Sequence, residues 1–234
     1  LAATYLEIAK EVLPLLRRSE IQVNFDYIDF SDEEIMGYIM TNPDTLELEQ
    51  MLYAATLTND LDAKLAIYMG TAMAYPTDYR AANNAGVVLM LMGKVEAAKI
   101  QFELALLASP NPISSVNLGA AMRQLGDREV AMDLLKEGAS VGPEAYYNMG
   151  LIDIQNGNYA SAITNFGSFN TFNVALVKML NGDNEGASRA LNSSADKDSP
   201  MGFYLAGIIA ARNSDEVGVM QNLQHAVELD PSIA

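Results

Sequence analysis

The strongest constraint on the fold of this 234-residue chain is a set of small, large and proline residues that recurs at fixed offsets. Counting from Gly86, the other members of the set stand twelve, sixteen, nineteen and twenty-four residues further on, at Ala98, Phe102, Ala105 and Pro110. The same offsets lead from Gly119 to Ala131, Leu135, Gly138 and Pro143, and from Gly207 to Val219, Leu223, Ala226 and Pro231. Parts of the set also follow Gly150, Ala175 and Leu52. A pattern that recurs in this way indicates one structural unit repeated along the chain.

Each unit has the composition of two antiparallel helices joined by a turn. The small residues at the anchor position and twelve residues later allow the two helices to pack closely, and the large residue four positions further on fills the space between units. A glycine between the two halves can adopt the left-handed conformation that ends a helix, at Gly93, Gly126, Gly157 and Gly182. The final proline then stops the second helix. The sequence therefore predicts an all-α fold of repeated helix pairs.

This pattern resembles the tetratricopeptide repeat family, whose period is about 34 residues. The resemblance covers residues 45–234, about six units, and implies a right-handed α-solenoid of antiparallel helix pairs. The chain departs from the family pattern in having no Trp near the start of a unit. Its anchors Gly150 and Ala175 are also only 25 residues apart. We expect residues 167–172 to shorten a helix there and to kink the superhelix.

Residues 1–44 lie outside the repeat pattern. The sequence predicts an amphipathic helix over Thr4–Arg18, bent or ended by Pro14, and a short extended stretch over Ile21–Phe25. A capping box at Ser31–Glu34 opens a further helix that runs to about Met40. We expect this N-terminal segment to pack on the first repeat.

Short runs around Leu15–Ser19 and Leu52–Leu57 are similar to large cell-envelope proteins of Bacteroidetes. That similarity implies a location in the bacterial periplasm or cell envelope; without it, the expected location is the cytoplasm.

Charge and composition exclude several classes of function. The net charge of −16 opposes binding to nucleic acid and to anionic lipid, because both need clustered Lys and Arg. The longest apolar run, Val87–Met92, is far shorter than the ~20 residues of a membrane helix. The chain has no Cys, and its single His, His225, belongs to no recognisable catalytic arrangement. The acidic residues 26–34 lack the spacing of a calcium loop. We predict neither an enzyme nor a cofactor or metal site.

An Asn stands two residues before the anchor in four consecutive units, at Asn84, Asn117, Asn148 and Asn173. An amide side chain offers two donors and an acceptor, so a column of amides can hold the main chain of an extended peptide. The family resemblance implies that the first helix of each unit lines a concave groove. The predicted groove residues are Gln50, Tyr53, Arg80, Asn84, Asn117, Arg123, Tyr147, Asn148, Asn173 and Arg212. The predicted partner is therefore another protein or a peptide segment.

Three alternatives stay open at this point. The Asn side chains could serve helix packing or simply face water. The chain could instead belong to a carbohydrate-handling envelope protein, although sugar platforms usually use aromatic faces and the chain has no Trp. It could also mediate self-association, because the last unit is apolar over Phe203–Ile209 and no polar helix follows Pro231.

Overall fold

The structure is a computed structural model that describes residues 30–233. Within this range the chain forms thirteen α-helices and no strand. The helices are α1 Asp32–Thr41, α2 Leu48–Ala54, α3 Leu61–Ala74, α4 Tyr79–Leu91, α5 Val95–Ala108, α6 Pro112–Gln124, α7 Arg128–Glu137, α8 Pro143–Gln155, α9 Tyr159–Phe166, α10 Phe172–Leu180, α11 Asn184–Asn192, α12 Pro200–Arg212 and α13 Glu216–Leu229. Short 3₁₀ turns occupy Pro43–Thr45, Ala139–Val141 and Pro231–Ile233. The predictions for Thr4–Arg18 and Ile21–Phe25 lie outside the described residues.

From α2 onwards the helices form six antiparallel pairs, each packed on the next. The prediction of an all-α, right-handed α-solenoid of helix pairs is therefore confirmed. Among residues 30–233, no helix is both long and apolar enough to cross a membrane.

The anchor glycines hold the two helices of a unit together at short distance. A Cβ atom added to Gly86 would lie 2.5 Å from Cε1 of Phe102, which is 1% exposed. A Cβ atom added to Gly119 would lie 2.9 Å from Leu135 Cγ, and one added to Gly207 would lie 2.7 Å from Leu223 Cδ2. The large residue thus packs directly over the glycine of its own unit, besides contacting the following unit. The sequence pattern predicts only that this large residue fills the space between units.

The turns inside the units have the predicted backbone conformation. Gly93, Gly126, Gly157 and Gly182 adopt φ values of 72°, 92°, 76° and 89°. The sixth unit has Ser214 at the equivalent position, and this residue adopts φ 59°. A serine therefore occupies a conformation that favours glycine.

The irregular spacing between Gly150 and Ala175 has the predicted local effect. Helix α9 ends at Phe166 after 8 residues, whereas the equivalent α5 has 14. Gly167 follows with φ 54°, and α10 begins at Phe172. The shortened helix is confirmed.

Helix α1 begins with the predicted capping box. Ser31 Oγ accepts a hydrogen bond from the Glu34 N–H at 3.3 Å, and Glu34 Oε2 accepts one from the Ser31 N–H at 2.9 Å. Ile35 is the buried residue of this helix and packs with Met51 and Ile67 of the first unit. Helix α1 thus covers the apolar surface at the start of the solenoid.

Candidate functional site: the inner face of the solenoid

The first helices of successive units form the inner layer of the solenoid. Helix α4 contacts α6, α6 contacts α8, and α10 contacts α12, whereas the second helices of these units are further apart. In a curved stack the layer whose members lie closer together is on the inside of the curve. The surface of these first helices that faces away from the second helices is therefore the concave groove.

Helix geometry identifies the residues on that surface. Successive residues of a helix are about 100° apart around its axis. The face opposite Gly86 therefore carries the residues two and six positions before Gly86 and the residues one and five positions after it. In α4 these positions are Arg80, Asn84, Val87 and Leu91. Val87 and Leu91 are 38% and 68% exposed. Asn117, Asn148 and Asn173 are the equivalents of Asn84 in α6, α8 and α10.

The first two amides of the column take part in contacts between helices. Asn84 Oδ1 accepts from Asn83 Nδ2 at 3.3 Å. Burial raises the pKa of Tyr68, and a hydrogen bond with Asn84 opposes that rise. Asn117 Nδ2 donates to Asn83 Oδ1 at 2.9 Å, an atom that also accepts from the buried Ser114 Oγ at 3.1 Å. Asn83 therefore links α4 to α6.

The other two amides also donate within the chain. Asn148 Nδ2 donates to the Glu144 carbonyl of its own helix at 3.0 Å. Asn173 Nδ2 donates to Tyr147 Oη at 2.9 Å, and that hydroxyl is 3.0 Å from Thr171 Oγ1. Tyr147 also packs against Phe166 and Phe169, with ring centroids 4.9 and 5.0 Å away.

In three of the four amides of the column the donor is used and the acceptor is not. In Asn117, Asn148 and Asn173 the side-chain nitrogen donates to a neighbour, while no described residue donates to the side-chain oxygen. All three side chains are partly exposed, and none of these oxygens is both buried and unpaired. The packing interpretation thus accounts for the nitrogens, and the oxygens remain accessible acceptors.

Two predicted groove residues lie at the N-terminal end of the solenoid. Gln50 Oε1 accepts a hydrogen bond from the Glu47 N–H at 3.0 Å, which closes the capping box of α2. Tyr53 Oη donates to Asp32 Oδ1 at 3.1 Å, so it joins α2 to α1.

Arg80 is paired with carboxylates of the chain itself. Its guanidinium lies 3.0 Å from Asp78 Oδ1 and 2.8 Å from Glu49 Oε1 of the preceding unit. The hydrogen bond from Arg80 lowers the pKa of Asp78. The pKa of Arg80 is raised, mainly by this hydrogen bond and secondly by the one to Glu49. Arg80 therefore joins two units and is not presented free to a ligand.

The other two arginines differ from each other. Arg212 Nη1 donates to the Met179 carbonyl at 2.7 Å and so links the ends of α12 and α10. Arg123 is half-buried in the last turn of α6, and its Nε is enclosed without a hydrogen-bond partner. Burial lowers the pKa of Arg123, and the nearby Tyr147 partly opposes that shift.

The sequence did not single out Asn83 as a structural residue. Asn83 and Asn84 are adjacent amides, and only the contacts with Ser114 and Asn117 distinguish them. No group of three or more His, Cys, Asp or Glu side chains in residues 30–233 could hold a metal ion.

Comparison with known proteins assigns the repeat. Residues 79–112 and 143–167 match the family model of the tetratricopeptide repeat. The chain contains tetratricopeptide repeats. The two matched segments correspond to α4/α5 and α8/α9, and the remaining pairs repeat the same architecture. No curated protein matches the sequence.

Solved tetratricopeptide-repeat structures share this fold at low sequence identity. A chain of the APC/C hetero-tetramer Cut9–Hcn1 superposes with a TM-score of 0.73 at 13% identity, covering 86% of this chain. This chain spans only 43% of that one. The type IV pilus biogenesis factor PilW gives 0.68 at 14% identity, covering 79% of this chain and 94% of its own. A tetratricopeptide repeat protein from Parabacteroides merdae ATCC 43184 gives 0.64 at 14% identity, covering 85% of each chain. The matched tetratricopeptide repeats support a role as a protein-interaction scaffold.

Proposed function

We propose that this chain is a non-catalytic scaffold that binds an extended segment of a partner protein along its inner face. The observation that carries the proposal is the unused side-chain oxygen of Asn117, Asn148 and Asn173, which accepts from no described residue. Each oxygen belongs to an amide whose nitrogen is fixed by an internal hydrogen bond, so its direction is set before a ligand arrives. Pre-oriented groups lose less conformational entropy on binding.

The chemistry of the groove matches a peptide main chain. An extended peptide presents N–H groups at regular intervals, and amide oxygens on consecutive units can accept hydrogen bonds from them. Val87 and Leu91 expose apolar surface on the same face and can contact side chains of the peptide. The net charge of −16 disfavours a segment that carries a large excess of acidic residues.

A display library of random linear peptides, selected on the immobilised chain, tests this proposal. The groove variant carries Val87→Asp and Leu91→Asp. The matched control carries Ile100→Asp and Leu107→Asp on α5, where the two side chains are 54% and 82% exposed. Both variants add the same charge at exposed apolar positions, so they separate the groove from general electrostatic effects.

We expect selected peptides to lose binding to the groove variant and to keep it with the α5 control. Asn148→Ala should weaken the same peptides, because it removes one acceptor and disturbs only a bond within α8. Peptides that bind the groove variant and the unaltered chain equally would contradict the proposal.

A second candidate function is self-association through α13. Val217 and Met220 on this helix are 66% and 72% exposed, so the final pair of helices presents apolar surface. Light scattering over a range of concentrations would detect an oligomer, and Val217→Asp with Met220→Asp should dissociate it. A monomer at every concentration would exclude this function. The carbohydrate-handling alternative and the location in the cell envelope stay predictions from the sequence.

A further inference from the structure

The guanidinium of Arg123 lacks the partners that the other groove arginines have. Arg80 pairs with two carboxylates, and Arg212 donates to a backbone carbonyl. Arg123 forms no ion pair and donates no hydrogen bond within residues 30–233. Its Nε is enclosed by the protein, whereas Nη1 and Nη2 are not enclosed.

A half-buried guanidinium without a carboxylate partner is unexpected in a protein that has an excess of acidic residues. Enclosure removes water from Nε, and no acceptor of the described chain replaces that water. With 30 Asp and Glu against 14 Lys and Arg, the chain has many carboxylates that could have paired with Arg123. The absence of such a partner in the described chain leaves the two Nη groups available to an acceptor from outside.

Tyr147 supplies a second polar group at the same place. It lies on α8, which packs against α6, the helix that carries Arg123. The Tyr147 hydroxyl accepts from Asn173, and its pairing with Thr171 allows either hydroxyl to donate. When Thr171 donates, the Tyr147 O–H has no acceptor among the described residues and is available to a ligand.

We propose that Arg123, with Tyr147, binds a carboxylate of the peptide segment at the junction of α6 and α8. The inference rests on the proposed function and adds the chemical class of one ligand group. The two Nη nitrogens of an Arg can donate to both oxygens of a carboxylate, a geometry that a neutral amide cannot match. The junction therefore selects a segment with one carboxylate, either an Asp or Glu side chain or the peptide C-terminus.

Pools of short, N-acetylated peptides with randomised neutral residues test this selection. One pool has Glu at a fixed central position and an amidated C-terminus, and a second differs only in having Gln there. A third keeps Gln and has a free C-terminal carboxylate. Retention of each pool is measured on the unaltered chain, on Arg123→Gln and Arg123→Met, and on Arg128→Gln. Arg128 is exposed on α7, and its side chain donates a hydrogen bond only to Asn156. Arg128→Gln is therefore the control, because it removes the same charge as Arg123→Gln at another position.

We expect the unaltered chain to retain one of the carboxylate pools roughly ten-fold more than the neutral pool, as for a hydrogen bond to a charged group. The Glu pool or the free-carboxylate pool will show which source the site prefers. Arg128→Gln should keep the preference, and both Arg123 variants should lose it.

Three results would overturn the inference. Equal retention of all three pools would remove the carboxylate site and leave the peptide groove in place. A preference that persists in both Arg123 variants would assign the carboxylate to another residue. Retention of none of the pools would overturn the groove proposal together with this one.

Discussion

Asn117 Nδ2 donates a 2.9 Å hydrogen bond to Asn83 Oδ1 across the junction between α4 and α6. The same oxygen accepts from Ser114 Oγ, a side chain with 0% exposure. One buried amide therefore satisfies two polar groups of the next unit, and in doing so it fixes how the second and third units are aligned. This contact makes Asn83 a structural residue and leaves the oxygen of Asn117 without a donor among the described residues.

Asn83→Ala should lower the free energy of unfolding by about 1–3 kcal/mol, because it leaves the buried Ser114 hydroxyl without an acceptor. Urea unfolding followed by circular dichroism measures the effect. Asn148→Ala is the control, since that side chain bonds only a carbonyl of its own helix. Its effect should stay within about 0.5 kcal/mol. Equal losses in the two variants would show that Asn83 has no special structural role.

Gly86→Ala should destabilise the second unit by about 1–3 kcal/mol, because the new methyl group would overlap the Phe102 ring. Gly70→Ala in α3 makes the same chemical change where nothing lies within 4 Å of the new atom. That variant should gain up to about 1 kcal/mol from helix propensity. Thermal unfolding of the two variants should thus shift in opposite directions. Adding Phe102→Leu to Gly86→Ala should recover part of the loss, as α10 and α11 already combine Ala175 with Leu191 at the same offset.

Ser214→Gly should stabilise the chain by about 1 kcal/mol, because a left-handed conformation is unfavourable for a residue with a Cβ. Gly182→Ser is the reverse change at the equivalent turn, where φ is 89° and a Cβ would meet nothing within 4 Å. It should destabilise by a similar amount. Chemical denaturation of both variants gives the comparison, and a loss of stability in Ser214→Gly would refute the backbone argument.

Arg80→Met should raise the pKa of Asp78 towards its ordinary value of 3.8. In the folded chain the hydrogen bond from Arg80 lowers this pKa, so the interaction stabilises the fold above pH 3.8. The stabilisation is lost as the pH falls below 3.8 and through the folded-state value. An NMR titration of the Asp78 carboxyl carbon measures the shift, with Arg128→Met as a control of equal charge. An unchanged Asp78 titration in Arg80→Met would contradict the assignment.

The helix pairs were predictable because their signal is local and repeated. The contact of Gly86 with Phe102 recurs as Gly119 with Leu135 and as Gly207 with Leu223, so the same offset reports the same packing each time. The turn glycines follow equally from the sequence, since a left-handed residue after a helix favours glycine. Ser214 is where this rule fails, because the packing of α12 on α13 imposes the turn on a serine.

The candidate groove was predictable only in outline. The sequence by itself determined the repeat, the all-α solenoid and the column of Asn side chains, because each depends on the residues inside one unit. Only the tertiary structure decided which amide atoms are used and which of the three predicted groove arginines has no partner within residues 30–233. Asn117 bonds Asn83, Asn173 bonds Tyr147, and Arg80 bonds Glu49, in each case across a junction between units. Those partners are side chains on neighbouring helices, and their hydrogen bonds depend on how the units stack, which no spacing within a unit specifies.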